Sequence, residues 1–316
     1  MIYQIISSDN VWTTGDFVRH WAPRLKGKFH LIPFQQLYEA ERLPVGTFIF
    51  SDLERMADEQ RELLAQVYEQ LEPYCPPMRL LNHPLRACNR LELLSTLHKK
   101  GINSFRAFPA ADVPSDLRFP VFLRIAKDHH GARSGLLQSW SELEEKLVEG
   151  LLSGWSLDQL MVSEFCDTSE AGEFTKYNAF RIGERIVARS VTYGAEWQRK
   201  ESDTTPVWRD DVKWVYARSN PHAEQLMEVF LAANIEYGRI DYSVKDGRLE
   251  VWEINTAPMF SASIPDGLSE ERRSIQQFVA DQLASAFEEV ASPVSEERVA
   301  IKLTWPGLSR LLGNCL

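Results

Sequence analysis

The first 80 residues alternate between short apolar runs and helical patterns, and this alternation is the strongest constraint on the fold. Four apolar runs fall at residues 3–6, 29–34, 47–50 and 78–81. Between the last two runs, apolar residues recur at helical spacing over residues 63–71. Ser51 and Glu54 fit the S-x-x-E capping box, which predicts that this helix begins just after Ser51. Strands that alternate with helices are typical of a parallel sheet, so we expect a small α/β unit here.

Helical and strand patterns continue along the rest of the chain. Helical spacing predicts helices over about residues 89–99 and 141–151, and Ser141 and Glu144 form a second capping box. Asn220 and Pro221 have the residues of a helix start. Further strands are expected at residues 121–126, 160–165, 178–182, 185–192 and 213–217, with a long amphipathic helix over 270–290. We expect four units: residues 1–85, 86–165, 166–291 and 292–316.

Composition argues against several classes of protein. The 316 residues include 35 basic and 45 acidic ones, and the formal charge of −10 repels the phosphate backbone of a nucleic acid. No apolar run approaches the roughly 18 residues of a membrane span, so no membrane partner is expected. Residues 1–8 lack a basic leader and predict a strand rather than a signal peptide. The four cysteines lack metal-site spacing, so we expect free thiols and a cytoplasmic protein.

The clearest local signal lies at residues 239–255, where two alternating runs flank Asp246 and Gly247 and predict a β-hairpin. A two-residue turn would point Asp241 and Glu253 to opposite faces, because side chains alternate along a strand. A three-residue turn with a bulge at Gly247 would gather four polar residues on one face, opposite a mostly apolar face: Arg239, Asp241, Glu253 and Asn255. We favour the three-residue turn because it separates polar from apolar side chains.

The three-residue turn would make Asp241 and Glu253 diagonal neighbours, roughly 7–8 Å apart at the backbone. Two carboxylates and the amide oxygen of Asn255 are hard ligands that suit Mg²⁺, which takes the rest of its shell from water and phosphate oxygens. The simpler alternative is a solvated hairpin in which Arg239 and Glu253 form a cross-strand ion pair.

These residues resemble the motifs of the ATP-grasp superfamily, and most closely those of the D-alanine–D-alanine ligase branch. The hairpin matches the family pattern R-x-D followed by E-x-N-T-x-P, and a serine-containing segment follows it. Other matching segments occur in the family's order: the N-x-P entry at 82–84, a strand and phosphate-covering loop at 119–135, a linker at 160–165 and strands at 174–192. The resemblance covers about residues 80–265. It implies an α/β (α+β) ATP-grasp fold preceded by a Rossmann-like domain.

The resemblance implies a role for each matching residue. Arg239 would stabilise charge on an acyl-transfer intermediate. One or two Mg²⁺ ions, or Mn²⁺ in their place, would be held by Asp241, Glu253 and Asn255. Glu164 and Phe165 would offer backbone groups to adenine. Further contacts to ATP would come from Arg90, Arg124, Lys127 and Asp167, and contacts to the other substrates from Lys176, Arg181 and Ser263.

Several features depart from the family pattern. Arg90 and Arg124 stand where the family usually has lysine; a guanidinium keeps the charge and can bind phosphate bidentately. The phosphate-covering loop has only two glycines, and His129 and His130 within it are expected to be polar loop residues rather than metal ligands. Met259 stands where the D-alanine ligases have glycine, which argues against D-alanine as the substrate.

The implied activity is the ATP-dependent joining of a carboxylate to an amine through an acyl phosphate, with release of ADP and phosphate. The expected partners are small carboxylate and amine substrates, such as amino acids or peptides, and a homo-oligomer is compatible with the sequence. Two alternatives stay open: an ATP-binding protein with a regulatory role, and a kinase-like phosphotransferase of the same fold. The aromatic and charged segment 197–214 is either an acceptor-binding lid or a surface hairpin, and its mixed charge favours the second.

Overall fold

The structure is a computed structural model that describes residues 1–128, 131–198, 210–260 and 269–304. These residues form fourteen β-strands and eight α-helices. The strands are β1 (Ile2–Ile6), β2 (Phe29–Pro33), β3 (Arg42–Pro44), β4 (Thr47–Phe50), β5 (Arg79–Leu81), β6 (Ala107–Pro109), β7 (Val121–Ile125), β8 (Leu160–Glu164), β9 (Ser169–Glu170), β10 (Glu173–Ile182), β11 (Arg185–Gly194), β12 (Tyr237–Lys245), β13 (Arg248–Asn255) and β14 (Arg298–Ala300). The helices are α1 (Val11–His20), α2 (Phe34–Glu39), α3 (Asp58–Leu71), α4 (Arg90–Lys99), α5 (Trp140–Leu152), α6 (Asp210–Ser219), α7 (Ala223–Ala232) and α8 (Glu270–Val290).

The N-terminal part forms the predicted parallel sheet. Its four strands lie in the order β2-β1-β4-β5, and each neighbouring pair is parallel. On one face Ile5 and Phe48 pack with side chains of α2 and α3, and on the other Ile2 and Ile49 pack with side chains of α1 and α8. Both faces are therefore buried, as is usual for a parallel sheet. The α/β class expected from the sequence is confirmed.

Two antiparallel sheets follow. A three-stranded sheet has the order β6-β8-β7 and packs its apolar face against α5 through Leu143. A larger sheet has the order β11-β10-β12-β13. Its apolar side chains Ile240, Tyr242 and Ile254 join the same buried cluster as Ile5 and Phe48. The hairpin β12–β13 is therefore anchored by one face to the N-terminal core, which leaves its other face for polar side chains.

Asn82, in the N-x-P motif, fastens the hairpin to the N-terminal sheet. Its Nδ2 donates to the carbonyl oxygens of Phe50 and Tyr237, at 3.0 and 2.8 Å. Its Oδ1 accepts from the backbone N–H groups of Glu236 and Tyr237, at 2.8 and 2.9 Å. The amide thus forms all four hydrogen bonds of which it is capable, and it is fully buried. The start of β12 is fixed relative to β4 as a result.

The predicted capping boxes are wrong. Helix α3 begins at Asp58 rather than near Ser51, and Gln60 rather than Glu54 returns a hydrogen bond to its N-terminus. The Ser51 hydroxyl donates instead to the Ile5 carbonyl oxygen at 2.6 Å. At α5 the cap is Ser139, two residues before the predicted Ser141, because Ser139 Oγ accepts from the Glu142 N–H at 3.3 Å. Serine and glutamate at the right spacing do not identify a cap where several such pairs compete.

The predicted strand at 213–217 and the predicted helix start at Asn220 are also wrong. Residues 213–217 belong to α6, whose buried side chains include Tyr216 and Ala217. Aromatic and β-branched residues suggest a strand there, but packing beneath the larger sheet determines a helix. Asn220 has φ 46° and its Nδ2 donates to the Ile186 carbonyl oxygen at 2.8 Å, so it follows α6 rather than opening α7.

The end of the described chain lies on the N-terminal part of the fold. Strand β14 pairs antiparallel with β3, and Val299 and Ile301 are buried. The side chains of Gln66 and Gln70 on α3 bond to the backbone of residues 302 and 304. The boundaries of the four predicted units stay predictions. None of the helices described is both long enough and apolar enough to span a membrane.

Candidate active site

The hairpin β12–β13 turns through two residues, so the prediction of a three-residue turn is wrong. Lys245 pairs with Arg248 across the turn. Asp246 and Gly247 have φ values of 50° and 74°, and positive φ at both central residues is the feature of a type I′ turn. This turn matches the twist of the two strands, which is why it is preferred in short hairpins.

A β-bulge restores the shared polar face that the two-residue turn alone would have destroyed. Tyr242 pairs with Val251, whereas Asp241 pairs with Glu253, which leaves Trp252 as an extra residue in β13. Because of this extra residue, the side chains of β13 after Trp252 point to the opposite face from the one that the turn alone would give them. The four polar residues predicted to share a face therefore do so, as two directly opposed pairs: Asp241 with Glu253, and Arg239 with Asn255.

Trp252 is held in the bulge by specific contacts. Its indole N–H donates to Ser243 Oγ at 3.1 Å, and its ring stacks on Phe105 with centroids 5.2 Å apart. A single tryptophan between valine and glutamate gives no sequence signal for a bulge. The sequence thus predicts correctly which four residues share a face, but it predicts the wrong turn length.

Asp241 lies between two cations. Arg239 Nε is 3.2 Å from Asp241 Oδ1, and Lys176 Nζ is 3.1 Å from Asp241 Oδ2. Lys176 reaches the carboxylate from β10, whose residue Asn178 pairs with Asp241. Arg239 also donates to the carbonyl oxygen of Met259 at 3.3 Å. The predicted catalytic arginine and one predicted substrate contact therefore lie at the predicted metal ligand.

Glu253 is reached by cations from two other elements. Arg90, the first residue of α4, places Nη2 2.6 Å from Glu253 Oε2. Arg124, on β7, places Nη2 3.2 Å from the same oxygen. Burial and the neighbouring Arg90 lower the pKa of Arg124. Asn255 Nδ2 donates to the second oxygen, Glu253 Oε1, at 3.3 Å. The residues expected to bind phosphate and metal thus meet at one carboxylate.

Three buried polar atoms at this meeting point have no hydrogen-bond partner among the described residues. They are the Nε–H groups of Arg90 and Arg124, which are donors, and Asn255 Oδ1, which is an acceptor. A buried polar group without a partner costs roughly 1–3 kcal/mol, and native proteins seldom keep several together without a ligand. Unused donors fit an anionic ligand, and an unused amide oxygen fits a cation.

The residues present therefore fit a hard metal ion in the donor set that the sequence predicts. Asp241, Glu253 and Asn255 offer carboxylate and amide oxygens on one face of one hairpin, and such ligands are those that Mg²⁺ prefers. Among the described residues no group of three or more His, Cys, Asp or Glu side chains is arranged to hold a metal. The candidate set differs from such a group because one of its three ligands is the amide of Asn255. A metal ion bound by only three side chains would keep coordination positions for oxygens of a substrate.

The side chains of three predicted residues make other contacts. Arg181 occupies a β10 position opposite Gly238, on the other face from Asp241, and donates to the carbonyl oxygens of Gly183 and Ile235 at 2.8 Å. It is buried with these backbone partners, and the predicted substrate contact stays a prediction. Lys127 pairs with Asp58 at 3.0 Å in an exposed position.

Asp167 accepts from the Ser169 N–H at 2.9 Å, and this backbone hydrogen bond is the main cause that lowers its pKa. The predicted ribose contact stays a prediction. Ser263, His129 and His130 lie outside the described residues.

Glu164 and Phe165 lie at the end of β8, in the predicted linker. The N–H of Glu164 donates to the Arg106 carbonyl oxygen and that of Phe165 to the Pro120 carbonyl oxygen, both at 2.9 Å. The side chain of Glu164 is bound to Arg106 and Arg118 rather than turned toward the cleft. The predicted contact of these backbones with adenine stays a prediction, although both N–H groups are engaged within the fold.

Sequence reasoning missed Glu54. Its carboxylate accepts from the Thr256 N–H at 3.1 and 3.2 Å and bonds to the Thr256 hydroxyl, directly after Asn255. Burial raises the pKa of Glu54. The sequence signal at this position is the S-x-x-E spacing, which predicts a helix cap instead. Glu54 instead ties the loop after β4 to the end of the hairpin β12–β13.

No protein-family model matches the sequence, and no curated protein matches it significantly. Solved structures do resemble the fold. The crystal structure of D-alanine–D-alanine ligase from Bacillus anthracis aligns with a TM-score of 0.48 and 14% identity, over 91% of this chain and 99% of that one. An L-amino acid ligase from Bacillus licheniformis aligns with a TM-score of 0.41 and 14% identity, over 88% of this chain and 73% of that one. The ATP-grasp ligase PsnB aligns with a TM-score of 0.47 and 15% identity, over 88% and 98%.

Proposed function

We propose that the protein is an ATP-dependent ligase of the ATP-grasp type, which activates a carboxylate as an acyl phosphate and transfers it to an amine. The observation that supports this most strongly is the junction at Glu253. Two cations from different elements meet one carboxylate there, and unused donors lie beside an unused acceptor. A site that must hold phosphates and a divalent cation together requires both kinds of atom.

The chain's own residues supply binding and charge stabilisation in this proposal. Arg90 and Arg124 bind the phosphates of ATP, because their guanidinium groups carry donors in a fork that fits phosphate oxygens. Asp241, Glu253 and Asn255 would hold Mg²⁺. When bound, Mg²⁺ would supply positive charge that stabilises the negative charge of the phosphates. Phosphoryl transfer requires little else from a protein than alignment and charge stabilisation.

The reaction then proceeds in two steps. A substrate carboxylate oxygen attacks the γ-phosphorus, the bond to the β-phosphate oxygen breaks, and ADP leaves. An amine next attacks the acyl carbon, loses a proton, and inorganic phosphate leaves with the electrons of the C–O bond. Arg239 lies beside Asp241 on the same face and stabilises the negative charge that develops on the acyl oxygen.

The ligand-free site has a consequence for binding. Glu253 Oε2 is shared by Arg90 and Arg124, so a metal ion that takes this oxygen must compete with two guanidinium groups. Phosphates relieve the competition by taking over the guanidinium groups. Mg²⁺ alone should therefore bind weakly, and Mg²⁺ and nucleotide should each strengthen the binding of the other.

The test combines calorimetry with an ADP-release assay. We expect ADP to bind in the presence of Mg²⁺, and ATP to be turned over to ADP in the presence of pairs drawn from a panel of amino acids and short peptides. Glu253→Gln should abolish most turnover. Glu250→Gln is the matched control, because Glu250 lies on the same strand, is buried, and accepts the Ser104 N–H at 3.0 Å, whereas Glu253 contacts Arg90 and Arg124.

Three outcomes would contradict the proposal. Tight nucleotide binding without turnover of any pair would favour the regulatory protein. ADP release with alcohols but not with carboxylates would favour the phosphotransferase. Equal loss of activity in Glu253→Gln and Glu250→Gln would assign Glu253 to folding rather than to the site.

A further inference from the structure

Glu54 is a buried carboxylate that the roles assigned so far do not use. Its two oxygens accept from the N–H of Thr256, at 3.1 and 3.2 Å, and one of them also accepts from the Thr256 hydroxyl. The N–H of Leu53 in turn donates to the Thr256 hydroxyl oxygen at 3.0 Å. Thr256 is buried, so these hydrogen bonds are shielded from water. Two neighbouring residues of the loop after β4 therefore hold one residue at the end of the hairpin β12–β13.

This contact fixes the peptide group that follows a proposed metal ligand. Asn255 is the last residue of β13 and pairs with Arg239, so the strand ladder holds its backbone on one side only. On the other side comes the peptide group that joins Asn255 to Thr256. A peptide group is planar, so a hydrogen bond to its N–H also sets the direction of its carbonyl group. Glu54 therefore orients the backbone of Asn255 at the point where the ladder ends.

The carbonyl side of the same peptide group is also closely packed. A Cβ at Gly238, on β12, would lie 3.0 Å from the Asn255 carbonyl oxygen, which is closer than ordinary van der Waals contact. Glycine in a strand often marks a place where another backbone approaches closely, as it does here. The peptide group thus lies between Gly238 on one side and Glu54 on the other. The backbone from which the Asn255 side chain projects is therefore restricted from both sides.

The loop that carries Glu54 is itself fastened to the N-terminal parallel sheet. Asp52, two residues before Glu54, is buried and has a left-handed backbone with φ 63°. Its carboxylate accepts from the N–H and the hydroxyl of Ser7, at 3.0 and 2.7 Å, and from Asn10 Nδ2 at 2.7 Å. Ser7 directly follows β1, so the loop is bound to the end of the strand that neighbours β4. Glu54 thus reaches the hairpin from a support that has its own anchor.

A carboxylate is well suited to hold Thr256, because both of its oxygens are acceptors and Thr256 offers two donors. Glutamine has one oxygen and one NH₂ group, and its NH₂ group would face a donor. Burial of a carboxylate costs free energy, so fold stability alone gives little reason for one here. A group that orients a metal ligand is a case in which the geometry matters more, since its loss commonly lowers metal affinity or activity by roughly 10–100-fold.

We infer that Glu54 is a positioning residue for the metal site: it acts through Thr256 and holds Asn255 where its amide oxygen can reach a metal ion bound on the polar face of the hairpin. The inference rests on the proposed function, and it makes the N-terminal sheet part of the support of the metal site. Glu54 itself touches neither metal nor nucleotide in this assignment. Its loss should therefore weaken the contribution of Mg²⁺ to nucleotide binding and leave the contacts of the phosphate-binding arginines in place.

The experiment measures how much Mg²⁺ strengthens ADP binding. Calorimetry gives the Kd of ADP for the full-length protein in EDTA and in excess Mg²⁺, and the ratio of the two values is the Mg²⁺ enhancement. Glu54→Gln should lower this enhancement about tenfold, while the Kd in EDTA stays within about twofold of the wild type. Chemical denaturation of each variant establishes that it is folded before the titration.

Two substitutions at Thr256 test the route by which Glu54 acts. Thr256→Val removes the hydroxyl and keeps the shape, so it should also lower the Mg²⁺ enhancement, whereas Thr256→Ser keeps the hydroxyl and should retain the enhancement. Glu54→Gln combined with Thr256→Val should lower the enhancement no further than Glu54→Gln alone, because residues that act through one another are not additive. If Glu54→Gln does not fold, Thr256→Val against Thr256→Ser decides the question.

Asp52→Asn is the matched control, because it alters a buried carboxylate of the same loop. Asparagine tolerates the left-handed backbone at this position. The hydrogen bonds that Asp52 accepts come from Ser7 and Asn10, in the N-terminal unit, rather than from the hairpin. Asp52→Asn should therefore leave the Mg²⁺ enhancement within about twofold of the wild type.

Three results with the variants would overturn the inference alone. An unchanged Mg²⁺ enhancement in folded Glu54→Gln would show that Asn255 needs no support from the N-terminal sheet. Equal weakening of ADP binding in Mg²⁺ and in EDTA would assign Glu54 to the fold of the whole cleft. The same loss of enhancement in Asp52→Asn would assign the effect to the loop rather than to the Glu54 carboxylate.

The wild type separates these results from a failure of the proposed function. If ADP binds to the wild type equally well in Mg²⁺ and in EDTA, the proposed metal site fails, and the inference fails with it. If ADP binds in neither condition, the proposed function itself fails.

Discussion

Two carboxylates in this protein are each bound by two arginines, and they illustrate opposite uses of the same chemistry. The two oxygens of Glu164 accept six hydrogen bonds, from the guanidinium and backbone N–H groups of Arg106 and Arg118. Glu253 shares one oxygen between Arg90 and Arg124. The side chain of Glu164 is 2% exposed and that of Glu253 is 16% exposed.

Each carboxylate with its two arginines forms a cluster, and the two clusters differ in how many of their hydrogen-bonding groups have partners. Around Glu164 the acceptor capacity is filled by the protein, and nothing is left for a ligand. Around Glu253 two buried donors and one buried acceptor have no partner among the described residues, and a second carboxylate, Asp241, lies directly across the hairpin. A filled cluster stabilises a fold, whereas a cluster with unused groups is suited to binding.

The largest expected effect is on stability at Glu164. Glu164→Gln removes the charge that neutralises Arg106 and Arg118, and should lower the free energy of unfolding by about 3 kcal/mol. Chemical denaturation at pH 7 measures this value. Activity, assayed well below the melting temperature, should stay within about twofold of the wild type, because Glu164 faces away from the cleft. A stable but inactive Glu164→Gln would place this carboxylate in the site and break the comparison.

Lowering the pH should remove the same stabilisation that Glu164→Gln removes. Burial would raise the pKa of Glu164, but hydrogen bonds from Arg118 and Arg106 outweigh it and lower the pKa to about 2. A carboxylate with a depressed folded-state pKa stabilises the protein above its unfolded value of 4.5, and this contribution disappears as the pH falls towards 2. The difference in unfolding free energy between wild type and Glu164→Gln should therefore shrink from pH 5 to pH 2. A constant difference over this range would mean that Glu164 is held by shape rather than by charge.

At Glu253 the expected effect is on activity. Glu253→Gln should reduce kcat by at least about a hundredfold, since it removes one charged ligand from a site that stabilises developing charge. Its free energy of unfolding should change by only about 1 kcal/mol, because the Glu253 side chain is 16% exposed and glutamine can still accept the hydrogen bond from Arg90. Steady-state assays and denaturation of the same preparation measure both quantities. The comparison would fail if Glu253→Gln cost as much stability as Glu164→Gln and as little activity.

Sequence patterns predicted the larger elements because those depend on periodicity. The parallel N-terminal sheet, the hairpin at 239–255 and the long helix at 270–290 follow from alternation and helical spacing, which local side-chain burial enforces. The polar face of the hairpin was also predicted, although its register was not. A bulge at Trp252 depends on Phe105 and Ser243, which contact it from outside its own strand.

Roles that depend on long-range partners escaped the sequence. Glu54 was assigned to a helix cap, but its partner Thr256 is 202 residues away along the chain. Glu164 was expected at the adenine site on the strength of its motif, and only the structure shows that Arg106 and Arg118 occupy its side chain. Acidic and basic residues are common enough that pairing cannot be predicted from one sequence.

The smallest expected effect concerns Arg124, which stands where the family that the sequence resembles usually has lysine. Arg124→Lys keeps the charge near Glu253 but removes the planar fork, so ATP affinity should fall about tenfold. Arg118→Lys is the matched change in the filled cluster; it should leave ATP affinity unaltered and lower the free energy of unfolding by about 1 kcal/mol. Calorimetry with Mg²⁺ and a non-hydrolysed ATP analogue measures the first, and chemical denaturation the second. Unchanged or tighter ATP binding in Arg124→Lys would mean that a point charge suffices at this position. Arginine would then serve to hold Glu253 in the ligand-free site rather than to bind phosphate, and the two clusters would differ less than their geometry indicates.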